Sequence, residues 1–455
     1  MPVKFTGRIK TRGWFRVHSF VGVITGLMLF VICWSGTFAV VAHELDWLAT
    51  PEARMSSDGG TRASWGAWLE AVKREYPQAK VRRLEAPRFR ESAAVAVIDL
   101  PHQELVRVYL QPHTAEVLGH WSYFTLQRFF RNLHSYLFLP EIGSYLVAFF
   151  SLTLLVSMIS ALFFYKRWWT RFLRFKTGPG RVFWSEWHKT SGLWSLWFMG
   201  VLALTGLWYL FEMTRSDWLD GTFSFAGTGD YAVHFIPKPQ SDPEQPELPL
   251  DSLIERVREV RPELEIRMVN LVNSHEGALY VQGQTDHVLL GDRANQVHLD
   301  RRSGAILYNQ NASDYPLYWR WSDTADPLHF GDFGRLWSKA VWFLFGLLLC
   351  GLILTGTYLH AQRLARQADG GAGYHWPGTG AALVVSLVVL AASVLSGFRE
   401  AEYFGPSLNG DKQLPVLTPG VKAVMAGWVG LTLAIIAAWV WMLWRAPRLR
   451  PRATT

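Results

Sequence analysis

Apolar residues in this chain fall into six long runs separated by polar segments, and the length of the runs is the first constraint on the fold. A helix rises about 1.5 Å per residue, so about 20 apolar residues cross the core of a bilayer. The runs Phe20–Ala42, Tyr145–Tyr165, Leu193–Phe211, Leu336–Leu359, Ala381–Gly397 and Val421–Trp444 are read as spans, the fifth being the shortest. The pattern changes between the first and second spans and again between the third and fourth. There, a short amphipathic helix precedes runs that alternate apolar and polar, as half-buried strands do. The first such segment reads as a helix at Ser64–Tyr76, then strands at Lys80–Leu84, Ala93–Leu100 and Leu105–Leu110. The second reads as a helix at Leu250–Val260, then strands at Glu265–Val272, Ala278–Gln282 and Val297–Leu299. Ser303-Gly304 signals a turn, and the stretch Pro237–Pro249 has the composition of a linker.

The chain also matches itself. Aligning Trp14 with Trp184 brings His18 onto His188, Gly22 onto Gly192, and Ser35-Gly36 onto Thr205-Gly206. A second offset brings His134 onto His329, Ser160-Ala161 onto Thr355-Gly356, and Tyr165 onto His360. The predicted unit is a span going out, an external domain and a span coming back, present twice. The expected fold class is a membrane α-helical bundle of about six spans, four of them in a duplicated unit, with two α+β external domains. The expected divisions are a first span at 1–42, an external domain at 43–143, a second span at 144–166, and a cytoplasmic loop with the third span at 167–211. A second external domain at 212–335, a fourth span at 336–360 and two extra C-terminal spans at 361–455 follow. Most spans show no midplane break.

Composition agrees with a membrane chain. Half of the 455 residues are hydrophobic and 23 are tryptophan, above the usage of soluble proteins. The net charge of +8 would suit nucleic acid if it were spread over one surface, but it gathers at span ends. Lys4, Arg8, Lys10, Arg12 and Arg16 precede the first span, and Lys166, Arg167, Arg171, Arg174 and Lys176 follow the second. Arg363 and Arg366 follow the fourth, and Arg445, Arg448, Arg450 and Arg452 the sixth. Basic excess marks the cytoplasmic side. The expected topology is therefore multi-pass, with both termini cytoplasmic and the polar segments outside; the expected partner is lipid, not nucleic acid. The first span is long for a signal peptide and lacks a clear cleavage site, so it is expected to stay. Cys33 and Cys350 both lie within spans, with no CxxC or CxxCH, which excludes a thiol redox pair and c-type attachment of haem by that motif.

The helix-then-strands pattern ending in Asp300-Arg-Arg-Ser-Gly-Ala-Ile-Leu307 resembles a PepSY domain. The spans that begin near Leu-His or Trp-x3-His and end in Ser/Thr-Gly resemble those of the PepSY-associated transmembrane helix family, over roughly residues 10–365. The resemblance implies two PepSY-like external domains and a bacterial inner membrane, with the soluble domains in the periplasm. It also implies a b-type haem protein that reduces ferric siderophores.

The paired histidines suit that chemistry. Two imidazoles facing each other across a bundle are the axial ligands a haem needs, and ionisable residues within membranes default to function. Two haems b are expected, one between His134 and His329 toward the external face and one using His18 and His188 toward the cytoplasmic face. His360 is an alternative inner ligand, and His43 is an accessory ligand or a structural residue. Arg128, Arg131 and Arg335 are candidates to meet haem propionates. His102, His113, His120, His234, His275, His287 and His298 are expected to face solvent from the external domains, and His375 from a cytoplasmic loop. The aromatic stretch Tyr315–Phe333, with Tyr318, Trp319, Arg320 and Trp321, is a candidate docking surface for a ferric chelate. No segment provides a nicotinamide or flavin domain, since Gly370-Gly-Ala-Gly373 lacks the strand–turn–helix context. The electron donor is thus expected to be a cytoplasmic protein or a membrane quinol. Two other functions fit the same chain: a PepSY regulator of a peptidase, which leaves the histidine pairs unexplained, and a metal or small-solute transporter.

Overall fold

The computed structural model describes residues 11–55, 60–140, 142–173, 175–218, 236–272, 277–367 and 378–445. The first apolar run forms two helices, α1 (Thr11–Ile24) and α2 (Gly26–Val40), bent by 67° at Thr25. A short helix, α3 (Ala42–Ala49), leads into α4 (Trp65–Glu75) and four strands: β1 (Lys80–Glu85), β2 (Ala94–Leu100), β3 (Glu104–Leu110) and β4 (Val117–Ser122). The chain returns through α5 (Leu126–Tyr136) and the apolar α6 (Gly143–Phe164). The same order follows with α7 (Arg181–Trp194), α8 (Leu196–Trp218), α9 (Leu250–Val260), β5 (Glu265–Asn270), β6 (Ala278–Gln284), β7 (Gln296–Asp300), β8 (Ile306–Gln310), α10 (Leu317–Phe330) and α11 (Arg335–Gln367). Last come α12 (Thr379–Tyr403) and α13 (Pro419–Arg445), joined through the two-residue strands β9 (Ser407–Leu408) and β10 (Asp411–Lys412). Asn409 and Gly410 turn that hairpin with positive φ, 53° and 89°, as a tight hairpin turn demands. Among the described residues, five helices are long and apolar enough to cross a membrane, or six with the bent pair counted as one span.

Two expectations change here. The first span is not straight, and α7 and α8 likewise part at Ser195, so breaks do exist. They fall at matched places: Thr25 and Ser195 are separated by the same 170 residues as Trp14 and Trp184. At Thr25 the hydroxyl donates to the Val21 carbonyl at 2.8 Å. Such back-bonding, beside Gly22 and Gly26, bends a helix while the ladder on either side persists.

The second change concerns the polar segments. Their strands form one antiparallel sheet of eight, in the order β4-β3-β2-β1-β5-β6-β7-β8. The joint is the pairing of β1 with β5, where Arg83 faces Asn270, Leu84 faces Val269 and Glu85 faces Met268. Helices α4 and α9 cover one face over a shared core that includes Trp68, Leu84, Ile98, Ile254, Val269 and Val281. Asp251 ties the two helices together by accepting from Ser64 Oγ (2.6 Å) and Gly66 N (2.8 Å). Alternation of side chains sends Arg83, Glu85, Arg107 and Tyr109 to the other face. Val95 and Val97 on that face pack into the helix bundle.

The added helices seal one flank of that bundle. Trp34 of α2 donates to Thr432 Oγ1 of α13 at 2.9 Å. Trp428 packs against Trp34, Phe38, Phe129 and Phe130. The Thr418 hydroxyl donates to the Ala49 carbonyl at 2.9 Å. Lys4, Arg8, Lys10, Arg174, Arg448, Arg450, Arg452, His234, His275, His375 and the glycine run at 370–373 lie outside the described residues.

Candidate functional site

Two cavities lie along the bundle, and each is flanked by one pair of histidines. The outer one, of about 410 Å³, lies near the sheet. His134 reaches it from the last turn of α5 and His329 from the last turn of α10. Both helices stop there on left-handed residues, Leu137 (φ 51°) and Gly331 (φ 68°), so each histidine stands at a corner before the following span. The two rings face each other with centroids 5.9 Å apart and planes 36° apart.

Their hydrogen bonds fix which nitrogen faces the cavity. His134 Nδ1 lies 2.8 Å from the Ile32 carbonyl of α2. A carbonyl only accepts, so Nδ1 carries the proton and Nε2 the lone pair. His329 Nδ1 lies 2.8 Å from Thr205 Oγ1, whose own proton goes to the Val201 carbonyl at 2.8 Å. That hydroxyl must therefore accept, and His329 takes the same tautomer. Gly36 makes room for the first ring: a Cβ there would sit 2.6 Å from His134 Cε1.

The inner cavity, of about 320 Å³, has the same logic. His18 on α1 and His188 on α7 face each other with centroids 6.3 Å apart and planes 74° apart. His18 Nδ1 bonds the Ser157 carbonyl at 2.9 Å. His188 Nδ1 bonds the Leu352 carbonyl and Thr355 Oγ1, each at 3.1 Å. Gly356 packs close to the second ring, where a Cβ would lie 3.1 Å from His188 Cε1. Leu29, Leu154 and Leu349 line both cavities and form the partition between them.

The sequence foresaw these pairings but not their surroundings. Arg131 lines the outer cavity, as do Arg293, Asp326, Glu212 and Tyr209. Arg293 pairs with Asp326 at 2.7 Å, and Tyr209 donates to Asp326 at 2.8 Å. Arg181, Lys189 and Arg363 line the inner cavity, and Arg181 Nε is buried without a hydrogen-bond partner among the described residues. Only Arg131 of these cations was singled out beforehand. Arg293 comes from a loop far along the chain. Arg181 and Lys189 sit seven residues before and one after His188 in a helix that was read as a loop.

Several anticipated residues stand elsewhere. Arg335 is exposed at the start of α11 with φ 56° and does not line the cavity. Arg128 stacks over Tyr123 at 4.4 Å and Phe404 at 5.0 Å. Burial raises the Tyr123 phenol, but Arg83, Arg107 and Arg128 outweigh it and hold its pKa below the usual value. His360 is buried on α11 and does not line the inner cavity. His43 lies on α3 outside the outer cavity. Burial, with the charges of Arg88, Lys339, Arg107 and Arg131, holds it well below its usual pKa and therefore neutral.

In the aromatic stretch, Tyr318 donates to Glu212, and Arg215 lies over Tyr318 at 5.3 Å and over Trp319 at 5.9 Å. Arg320 is engaged with the Ser313 carbonyl at 2.8 Å, and Trp321 is partly exposed beside Trp208. His102 and His287 are exposed as expected, and His113 and His120 bond to Thr61 O and Tyr76 OH. His298 is not solvated. It is buried on β7 and stacked on Tyr280 at 4.8 Å, because it points to the sheet face turned from α9, where Tyr280 and Tyr308 enclose it.

Long apolar helices with an antiparallel sheet at one end define a membrane protein with a polar domain outside its bundle. The family described as the PepSY-associated TM region matches residues 15–363, and the chain belongs to that family. No protein of the curated set matches the chain.

Proposed function

We propose that the chain is a haem-b-containing inner-membrane reductase that passes electrons from the cytoplasmic side to a periplasmic ferric siderophore, releasing Fe(II). The two pairs of facing imidazoles carry this reading. An iron held between two imidazoles would take bonds of about 2 Å, with about 1 Å more from each nitrogen to its ring centre, which would correspond to ring centroids roughly 6 Å apart. The observed 5.9 and 6.3 Å fit. Among the described residues no cluster of three or more His, Cys, Asp or Glu side chains forms that would hold a bare ion. Each pair would therefore hold a haem and not a bare ion, and each pair opens onto its cavity. Haem b supplies one-electron chemistry when bound.

The protein's part is to hold and tune. Carbonyl and hydroxyl acceptors orient all four rings and raise their basicity. Arg131 at the outer site, and Arg181 and Arg363 at the inner, are placed to meet carboxylates. The matched pairs fit a duplicated unit with two PepSY-like segments. The basic residues Arg12, Arg16, Lys166, Arg167, Arg171 and Arg363 lie at the end away from the sheet, which favours that end as cytoplasmic. The donor is a cytoplasmic protein or a quinol. The ferric chelate docks near the outer cavity, along the face of α10 that carries Tyr318, Trp319 and Trp321.

The test is the visible spectrum of the purified protein before and after dithionite. A Soret band with sharpened α and β bands on reduction is expected. His134→Ala or His329→Ala should each remove about half of the haem, and His18→Ala or His188→Ala the other half. Membranes containing the protein should then form Fe(II) from a ferric chelate, read with a ferrous indicator. The paired breaks at Thr25 and Ser195 also suit a solute transporter. A colourless, folded protein would sink the haem reading and leave that alternative.

A further inference from the structure

The two histidine-bearing helices of the outer cavity are held by different devices. α10 is tied to the sheet, since Asp323 accepts from Gly291 N at 2.5 Å and from Arg293 Nε at 2.8 Å. α5 is capped at its start by Asp46, which accepts from Leu126 N at 2.7 Å and Gln127 N at 3.0 Å. The rest of α5 is gripped from α12. Arg128, Asn132 and Tyr136 are spaced by four and form one stripe. Glu400 of α12 accepts from the Asn132 amide, and the Tyr136 hydroxyl lies 2.9 Å from each of its carboxylate oxygens. One turn on, Arg128 lies over Phe404. One turn back, Gly397 lets α12 approach Phe138, where a Cβ would lie 3.1 Å from Cδ2.

His134 is two residues from both Asn132 and Tyr136. At about 100° per residue that is the opposite side of α5, the side turned to the cavity. α5 thus meets Glu400 of α12 on one side and presents His134 to the outer site on the other, with α2, α3 and α6 packed along it. The corresponding positions on α10, 195 residues on, are Asp323, which bonds Gly291 and Arg293 instead, and Pro327 and Gly331, whose side chains carry no hydrogen-bonding group. Glu400 stands half-buried in the last turn of α12, between the charged Arg399 and Glu402, with its carboxylate turned to α5.

We propose that Glu400 is a positioning residue for His134, and that α12–α13 serve to hold α5 and its histidine in place at the outer site. This rests on the reading of His134 and His329 as haem ligands. Without Glu400, the Asn132 amide and the Tyr136 hydroxyl lose their acceptor and the last turn of α5 is released.

The experiment uses the full-length protein in detergent as Glu400→Ala, Glu400→Gln and Glu400→Asp, with Glu402→Gln as control. Two quantities are read: amide hydrogen exchange over 126–136, and a redox titration that follows the reduced bands. In Glu400→Ala, exchange over 126–136 should quicken about tenfold, and one of two potentials should shift upward while the other stays. Glu400→Gln, which keeps the shape, should shift the same way by less. Glu400→Asp should recover most of the native behaviour, and Glu402→Gln should match wild type. Unchanged exchange and potentials in both Glu400→Ala and Glu400→Gln would overturn the proposal, as would equal shifts of both potentials. A colourless wild-type protein sinks the haem reading instead, and the exchange measurement alone then decides whether Glu400 positions His134.

Discussion

At the scale of residues, close approach decides more than chemistry does. Gly36 sits under the His134 ring with no space for a methyl group. Gly36→Ala should displace the ring and cost about 1–3 kcal/mol, and under the proposed function it should remove or alter the haem spectrum of the outer site. Gly200→Ala, where an added Cβ meets nothing within 4 Å, should leave both thermal unfolding and the spectrum unchanged. A second residue sets a pH response. Asp300 is buried in the turn after β7; burial raises its pKa, but bonds from Ser241 Oγ and from the Arg302, Ser303 and Ser241 amides prevail and bring it down to about 2. A carboxyl lower in the folded state contributes stability that is present above its unfolded pKa of about 4 and is lost as pH falls toward 2, on the order of 2 kcal/mol. Asp300→Asn should flatten that part of the pH dependence of the melting temperature. The histidine pairs were legible because a repeat marks them twice. Arg293 and Arg181 were not, because a cation meeting a cavity from a distant loop or an uncalled helix leaves no local pattern.

At the scale of elements, periodicity found the spans and six of the eight strands of the large sheet within a few residues, and missed β4, β8 and the joints. Hydropathy averages over a window, so a bend that keeps its hydrogen bonds is invisible to it; the clue was the hydroxyl pair Thr25 and Ser195 in the same repeat register. α5 and α10 went unread as separate helices because they are short and abut apolar runs. The sheet joint was also hidden, since strand alternation shows which face is buried and not which strand lies alongside. It has a direct test. Arg83 and Asn270 are directly opposed across β1 and β5, and opposed residues of an antiparallel pair stand about 4.5–5.5 Å apart. Arg83→Cys with Asn270→Cys should therefore form an intrachain disulfide in high yield, seen as a mobility shift reversed by reductant. Arg83→Cys with Gln296→Cys, two strands further away, should not.

At the scale of the whole molecule, one sheet clamps two halves whose helices enclose two cavities in line. The bundle and its polar domain follow from the sequence pattern; the asymmetry added by α12 and α13 does not, because helices with no counterpart in the repeat give no register for their docking. The three leucines between the cavities carry a further consequence. Leu29, Leu154 and Leu349 offer no group that relays a proton, so under the proposed function negative charge would cross that wall uncompensated. Outward transfer from a negative interior is then driven by voltage, by about 2.3 kcal/mol per 100 mV for a charge crossing the full membrane. Iron reduction in sealed vesicles with an internal donor should accelerate when a potassium gradient and valinomycin make the lumen negative. It should slow when the polarity is reversed, and indifference to both would mean that protons travel with the electrons. A cell that lost its membrane potential would, on this view, also lose part of its hold on external iron.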